Sequence, residues 1–200
     1  MSGGMIEIRG NEDIRRGDNV PPRVTEILQA MGEIDTRWFP KGAAERGSDV
    51  HLMTQLIDGE LLTREDIEGS EYRNYLLAYY KFLDDWKPEM IEAELEVEYQ
   101  NELSYIGHVD RIIELKGERY IIDYKTGGVN ESHGLQLAAY RLAYRSQTDI
   151  NLPVLILQLT KEGKYRLRNK LKYPLMDLHY EIRWVEILRN YYREVKRIEL

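Results

Sequence analysis

Two residues of opposite charge close an apolar stretch in the middle of the chain. In "RYIIDYKTGG", Ile121 and Ile122 read as a buried strand, and Asp123 and Lys125 follow before a glycine turn. Because strand side chains alternate between faces, Asp123 and Lys125 point to the same side. A same-face ion pair is the plainer interpretation. The alternative is a carboxylate and an amine that act together on a substrate.

A second acid occupies the corresponding place in the preceding strand. That strand reads "LSYIGHVDRIIEL", and if it pairs with "RYIIDYK", Asp110 comes to lie beside Asp123. Two adjacent carboxylates repel unless a cation lies between them, and carboxylate oxygens suit Mg²⁺ or Mn²⁺. A lysine beside such an ion can position water or neutralise charge that develops on a phosphate. Asp110, Asp123 and Lys125 therefore indicate metal-assisted phosphodiester hydrolysis.

Both helices and strands, which the sequence shows by different spacings of apolar residues, must position these residues. Helical spacing predicts a short helix after Pro21-Pro22 and further helices at 42–58, 70–86 and 132–146. Alternation predicts strands in "AELEVEYQ", the two strands above, "LPVLILQLT" and "YRLRNKLKY". This order predicts a mixed α/β (α+β) fold with a central mixed sheet flanked by helices. The predicted parts are a flexible arm at 1–20 and a single domain at 21–200, made of a helical part at 21–90, a sheet core at 91–172 and a C-terminal helix at 174–200.

Composition narrows the class of protein. The 200 residues are 42% hydrophobic and 32% charged, which is typical of one globular domain. The chain has no cysteine, so it has no disulfide and no cysteine-bound iron–sulfur cluster. No apolar run approaches the ~20 residues of a membrane span, and we expect a cytoplasmic protein. The net charge of −7 does not by itself favour nucleic-acid binding, although a local basic patch can override it.

The stretch "GHVDRIIELKGERYIIDYKTGG", followed by "QLAAY", resembles the PD-(D/E)XK nuclease superfamily in its RecB-like exonuclease branch, to which phage exonucleases and CRISPR-adaptation nucleases belong. Four motifs occur in the family's order: a histidine after an arginine-glycine pair ("ERGSDVH"), G-x-x-D, D-x-K-T-G and Q-x-x-x-Y. The resemblance covers about residues 22–172 and implies a restriction-endonuclease-like core. Val109 stands before Asp110 where the family name has proline, and the cysteines that hold an iron–sulfur cluster in some relatives are absent.

The resemblance also implies a role for each matching residue. The implied metal ligands are His51, Asp110, Asp123 and the backbone carbonyl of Tyr124, the catalytic residues are Lys125, Asp110 and Asp123, and the substrate contacts are Gln136 and Tyr140. The four-residue spacing of Gln136 and Tyr140 independently places both on one helix face.

Two further residues are additional candidates. Glu94 is the match to the family's upstream glutamate, but Glu96 and Glu98 share its strand face, so the register leaves the choice open. His108 shares a strand face with Asp110 and would therefore face the cleft beside that acid. The alternative is a histidine on the protein surface.

A basic stripe lies near the end of the predicted sheet. In "KYRLRNKLKY", the cationic residues all have even numbers, so a single strand would carry them on one face: Lys164, Arg166, Arg168, Lys170 and Lys172. Such a face predicts a track for DNA phosphates, with Arg166, Arg168 and Lys170 as substrate-binding residues. Lysines that protect an edge strand from aggregation are an equally weighted alternative.

These expectations combine into one leading function. The sequence predicts an Mg²⁺- or Mn²⁺-dependent deoxyribonuclease, preferentially an exonuclease of phage-type DNA recombination, repair or degradation. Its partners would be DNA and a strand-annealing or single-strand-binding protein, with no membrane. The alternatives are a structure- or sequence-specific endonuclease and a non-catalytic DNA-binding subunit on the same fold.

Overall fold

The computed structural model describes residues 20–35, 37 and 40–197. The predicted arm at 1–20 therefore lies outside the described residues, except for Val20. Within these ranges the elements are α1 (Val24–Ala30), α2 (Ala43–Asp58), α3 (Arg73–Trp86), β1 (Glu89–Tyr99), β2 (Tyr105–Leu115), β3 (Glu118–Lys125), α4 (Glu131–Thr148), β4 (Val154–Leu159), β5 (Tyr165–Arg168) and α5 (Leu178–Glu194). No helix in the described ranges combines the length and apolarity that a membrane crossing requires.

The five strands form one sheet in the order of the sequence, β1-β2-β3-β4-β5. Neighbouring strands are antiparallel except β3 and β4, which are parallel and are joined by the crossover helix α4. In the β2–β3 ladder Arg111 pairs with Ile122, so the next position toward the open end brings Asp110 beside Asp123. The predicted mixed sheet flanked by helices, with a C-terminal helix and a restriction-endonuclease-like arrangement, is confirmed.

The two faces of β3 enter different apolar cores. Ile121 packs into a cluster with residues of α1, α4 and α5. Ile122 and Tyr124 pack into a second cluster with residues of α2 and α3. The alternation predicted for "RYIIDYK" is therefore correct, and helical layers cover the sheet on both sides, which anchors the end of β3 where the charged residues lie.

The last two predicted elements are shorter than expected. The strand predicted over "YRLRNKLKY" ends at Arg168, because Leu167 packs into the core beside α3 whereas Leu171 packs into the opposite one. The helix predicted from 174 begins at Leu178, where the Asp177 side chain accepts a hydrogen bond from the N–H of His179 as the N-cap. Residues 198–200 of that predicted helix lie outside the described residues.

Candidate active site

Three elements meet at the C-terminal end of β3. The backbone N–H of Tyr124 donates to Asp110 Oδ2 on β2 at 2.7 Å. The imidazole of His51, on α2, lies 2.9 Å from the Tyr124 carbonyl oxygen through Nε2 and 3.6 Å from Asp110 Oδ2 through Nδ1. The structure thus brings together His51, Asp110 and the Tyr124 carbonyl, which are separated by up to 73 residues in the chain.

Asp123 and Lys125 complete this cluster. The Lys125 ammonium donates to Asp123 Oδ1 at 2.9 Å and lies 2.8 Å from Oδ2, outside hydrogen-bond alignment. The Asp123 side chain is 3% exposed. Its Oδ2 has no hydrogen-bond partner among the described residues, although it is buried. The same-face ion pair predicted from the sequence is present, and it leaves one buried carboxylate oxygen in contact with the ammonium but without an aligned hydrogen bond.

The pKa values of Asp110 and Lys125 reflect this crowding of charge. Burial, together with the negative charge of Asp123, raises the pKa of Asp110 to about 6. For Lys125, burial alone would lower the pKa, but the charges of Asp123 and Asp110 outweigh it and hold the pKa above its usual value. The lysine therefore stays cationic, and the two carboxylates still repel, which favours a further cation at this place.

The donor set fits a hard divalent ion. Two carboxylates and a backbone carbonyl are suitable oxygen ligands for Mg²⁺ or Mn²⁺, the imidazole adds one nitrogen, and Oδ2 of Asp123 is buried without an aligned hydrogen bond. In the described part of the chain, no three His, Asp or Glu side chains are already arranged as a metal site. Asp123 instead accepts a hydrogen bond from Lys125, and His51 lies within hydrogen-bond distance of the Tyr124 carbonyl.

Gln136 and Tyr140 share one face of α4, as predicted, and reach the cluster through Lys125. Gln136 Oε1 accepts a hydrogen bond from the Lys125 ammonium at 3.2 Å, and Gln136 Nε2 donates to the Tyr140 hydroxyl at 2.7 Å. The Tyr140 ring packs directly on Gly107 of β2, where an added Cβ would lie 2.5 Å from the ring. This contact gives a reason for the glycine of the "GHVD" motif. A contact between these side chains and substrate stays a prediction.

A cavity of about 410 Å³ opens beside Lys125. Its walls combine the first turns of α2, the end of β3 and the turn that follows β3: Pro40, Ala43, Ala44, Arg46, Gly47, Ser48, His51, Tyr124, Lys125, Thr126, Gly127, Gly128, Asn130 and His133. Ala44, Gly47 and Ser48, which share a helix face with His51, form one wall. Arg46 Nε donates to Thr126 Oγ1 at 3.4 Å. The cavity is large enough for part of a nucleotide and has cationic groups on two sides.

The two additional candidates lie at the edge of the cluster. Glu94, in the left-handed region with φ of 51°, accepts hydrogen bonds from Gln55 at 2.8 Å and from Arg111 at 3.2 Å. Its carboxylate therefore links β1 to α2 and β2. His108 lies 3.1 Å from Glu96 of the neighbouring strand, with 41% of its side chain exposed. This arrangement agrees with the alternative given from the sequence, in which His108 is a surface histidine.

The predicted basic stripe does not form one strand face, because β5 includes only Arg166 and Arg168 of its five cations. Arg166 and Lys170 are exposed, but Lys170 lies beyond β5 in an isolated bridge with Pro174, so the prediction of a single strand face is wrong. Arg168 is half-buried and donates to the side chain of Gln158 on β4. Sequence reasoning missed Gln158; the available signal was a lone amide in the apolar strand "LPVLILQLT".

Comparison with known proteins places this geometry in a family. The model of the PD-(D/E)XK nuclease superfamily matches residues 26–197. The chain is similar to a "putative exonuclease" from Eubacterium rectale, with a TM-score of 0.51 and 13% identity over 90% of this chain and 76% of that one. It is also similar to the protein SSO0001, with a TM-score of 0.39 and 13% identity over 88% of this chain and 84% of that one. No curated protein matches the chain.

The family match and the fold agree in extent. Residues 26–197 include every strand of the sheet and the helices that carry His51 and Gln136. The match therefore extends well beyond the short motifs of β2 and β3. It shows that the chain belongs to the PD-(D/E)XK nuclease superfamily, whose members generally use divalent metal ions.

Proposed function

We propose that the protein is an Mg²⁺- or Mn²⁺-dependent deoxyribonuclease that degrades DNA from an end. The observation that carries this proposal is the pair of neighbouring carboxylates, Asp110 and Asp123, with Lys125 bonded to one of them at the wall of an open cavity. Such a group of buried charges lowers the free energy of unfolding. Hydrolysis of a phosphodiester would give each of the three charged side chains a role, which is typical of an active site. His51, Asp110, Asp123 and the Tyr124 carbonyl would hold the ion.

The chain's own residues have separate tasks in this reaction. A bound divalent ion supplies Lewis-acid polarisation of the phosphate and a water of lowered pKa. Lys125 faces the reacting phosphate as a cation and stabilises the charge that develops on its oxygens. Gln136 holds the Lys125 ammonium in place, and the hydrogen bond from Gln136 to Tyr140 fixes the orientation of the Gln136 amide. Arg46, on the α2 wall of the same cavity, is placed to contact a neighbouring phosphate.

Exonuclease action is preferred for two reasons. The four sequence motifs resemble the RecB-like exonuclease branch, and the similar structure from Eubacterium rectale carries the description of an exonuclease. We place the enzyme in the cytoplasm, in phage-type recombination, repair or degradation of DNA, beside a strand-annealing or single-strand-binding protein. The site lies within a single domain at 21–200.

The test compares three DNA substrates with wild-type protein and Lys125→Ala. We expect the wild type to degrade linear single-stranded or duplex DNA with Mg²⁺ or Mn²⁺, to spare closed circles, and to stop when EDTA is added. Lys125→Ala should abolish degradation while its circular dichroism stays that of the wild type. Equal activity of the two proteins contradicts the mechanism, and cleavage of closed circles identifies an endonuclease instead.

A further inference from the structure

A chain of polar side chains runs from β5 to the turn that follows β3. Arg168 donates to Gln158 Oε1 through Nε at 3.3 Å and through Nη2 at 3.0 Å. Gln158 Nε2 in turn donates to the backbone carbonyl of Gly127 at 2.8 Å. Gln158 is the partner of Lys125 in the β3–β4 ladder, so this chain ends two residues from the catalytic lysine.

The orientation of the Gln158 amide is determined by its two neighbours. Both Arg168 nitrogens are donors, so they hold the oxygen of the amide and leave its N–H₂ group toward Gly127. Gln158 is 9% exposed in a strand whose other residues are all buried and apolar. A buried amide that loses its partners is unfavourable, and the two donors of Arg168 satisfy the oxygen of this one.

The turn at Thr126–Gly128 is held from the opposite side as well. Arg46 of α2 donates to Thr126 Oγ1 at 3.4 Å, while Gln158 of β4 holds the Gly127 carbonyl. All three turn residues line the 410 Å³ cavity together with Lys125. The position of the turn therefore sets the shape of the cavity wall that adjoins the lysine.

We propose that Arg168 and Gln158 form a brace that positions the Thr126–Gly128 turn, so that Arg168 is a positioning residue and not a contact to the DNA backbone. This inference rests on the proposed nuclease function. Arg166, two residues earlier on β5, is exposed and serves as the contrasting residue. Replacing Arg168 should then lower kcat, whereas replacing Arg166 should raise KM and weaken the salt dependence of DNA binding, although both arginines belong to the same strand.

The experiment measures cleavage and DNA binding for Arg168→Leu, Gln158→Leu and Arg166→Leu. We expect Arg168→Leu and Gln158→Leu each to lower kcat by about tenfold or more, and the double variant to lose no more than either one, because both remove the same brace. The salt dependence of DNA binding, measured in EDTA, should be unchanged in both. Arg166→Leu should instead reduce that slope by about 1 and raise KM.

Two readouts separate this inference from the proposed function. Hydrogen exchange of residues 126–130 in the free protein should accelerate by about tenfold in Arg168→Leu and Gln158→Leu but not in Arg166→Leu. Arg168→Lys keeps the charge but not the fork of donors, so it should bind DNA normally and still exchange faster. The brace is contradicted if residues 126–130 of Arg168→Leu exchange hydrogen at the wild-type rate while the salt dependence of its DNA binding falls by about 1. Absence of nuclease activity in the wild type contradicts only the proposed function.

Discussion

The contact between Gly107 and Tyr140 gives a quantitative test of how Lys125 is held. In Gly107→Ala, the new Cβ would lie 2.5 Å from Cδ1 and 2.7 Å from Cε1 of the Tyr140 ring, and 3.2 Å from Val97. Carbon atoms in contact prefer separations of about 3.5–4.0 Å, so the ring must move by about 1 Å. That movement is transmitted to Gln136 through its 2.7 Å hydrogen bond to the Tyr140 hydroxyl.

The expected magnitude follows from this displacement. A misplacement of about 1 Å in a positioning group costs about 10²-fold in rate, which corresponds to about 2.7 kcal/mol in the activation free energy. Overpacking should also lower the free energy of unfolding by about 1–3 kcal/mol and Tm by about 2–4 °C for each kcal/mol. The rate should therefore fall much more than the folded fraction at 25 °C.

The assay is single-turnover cleavage of linear DNA at saturating protein, with Tm measured in the same buffer. Gly69→Ala is the matched control, because nothing lies within 4 Å of the Cβ that it adds, and it should behave as the wild type. Adding Gly107→Ala to Tyr140→Leu should cost little more, since the ring is already absent. A cleavage rate for Gly107→Ala within twofold of the wild type refutes the connection from Gly107 to Lys125.

Further outcomes follow from the same contacts. Arg111→Met leaves the half-buried carboxylate of Asp58 with only its hydrogen bond from Tyr79, and urea unfolding should show a loss of about 3 kcal/mol; an unchanged midpoint contradicts a structural role for the Arg111–Asp58 pair. Glu96→Gln changes an exposed cross-strand pair, 61% exposed on the glutamate side, so Tm should not change measurably. Mn²⁺ at about 100 times its Kd should stabilise the wild type by about 2.7 kcal/mol and should not stabilise Asp110→Asn or Asp123→Asn; equal stabilisation of all three excludes this metal site.

The sequence was sufficient for the parts of the site that local periodicity determines. Alternation along "RYIIDYK" placed Asp123 and Lys125 on one face, and the hairpin register then required Asp110 to lie beside Asp123. The four-residue spacing placed Gln136 and Tyr140 together in the same way. These relations depend only on the geometry of one strand, one hairpin or one helix.

The remaining contacts join residues that no local pattern relates. Even-numbered cations continue past the end of β5 because exposed loop residues are as polar as an exposed strand face, so the alternation could not show that the strand stops at Arg168. The alternation also could not show that Arg168 donates to Gln158, since that hydrogen bond depends on a buried amide in another strand. Likewise, the need for glycine at Gly107 depends on a ring 33 residues away.

The sheet order has a consequence for how the site is assembled during folding. Each strand pairs with the next one in the sequence, so β1, β2 and β3 form a meander of short-range contacts that loop closure favours early. We therefore expect Asp110 and Asp123 to come together at an early stage of folding, before the parallel pairing of β3 with β4. His51 and Gln136 can join only after α2 and α4 have packed on the sheet. A nascent chain thus gathers the acidic pair first and becomes a competent nuclease last.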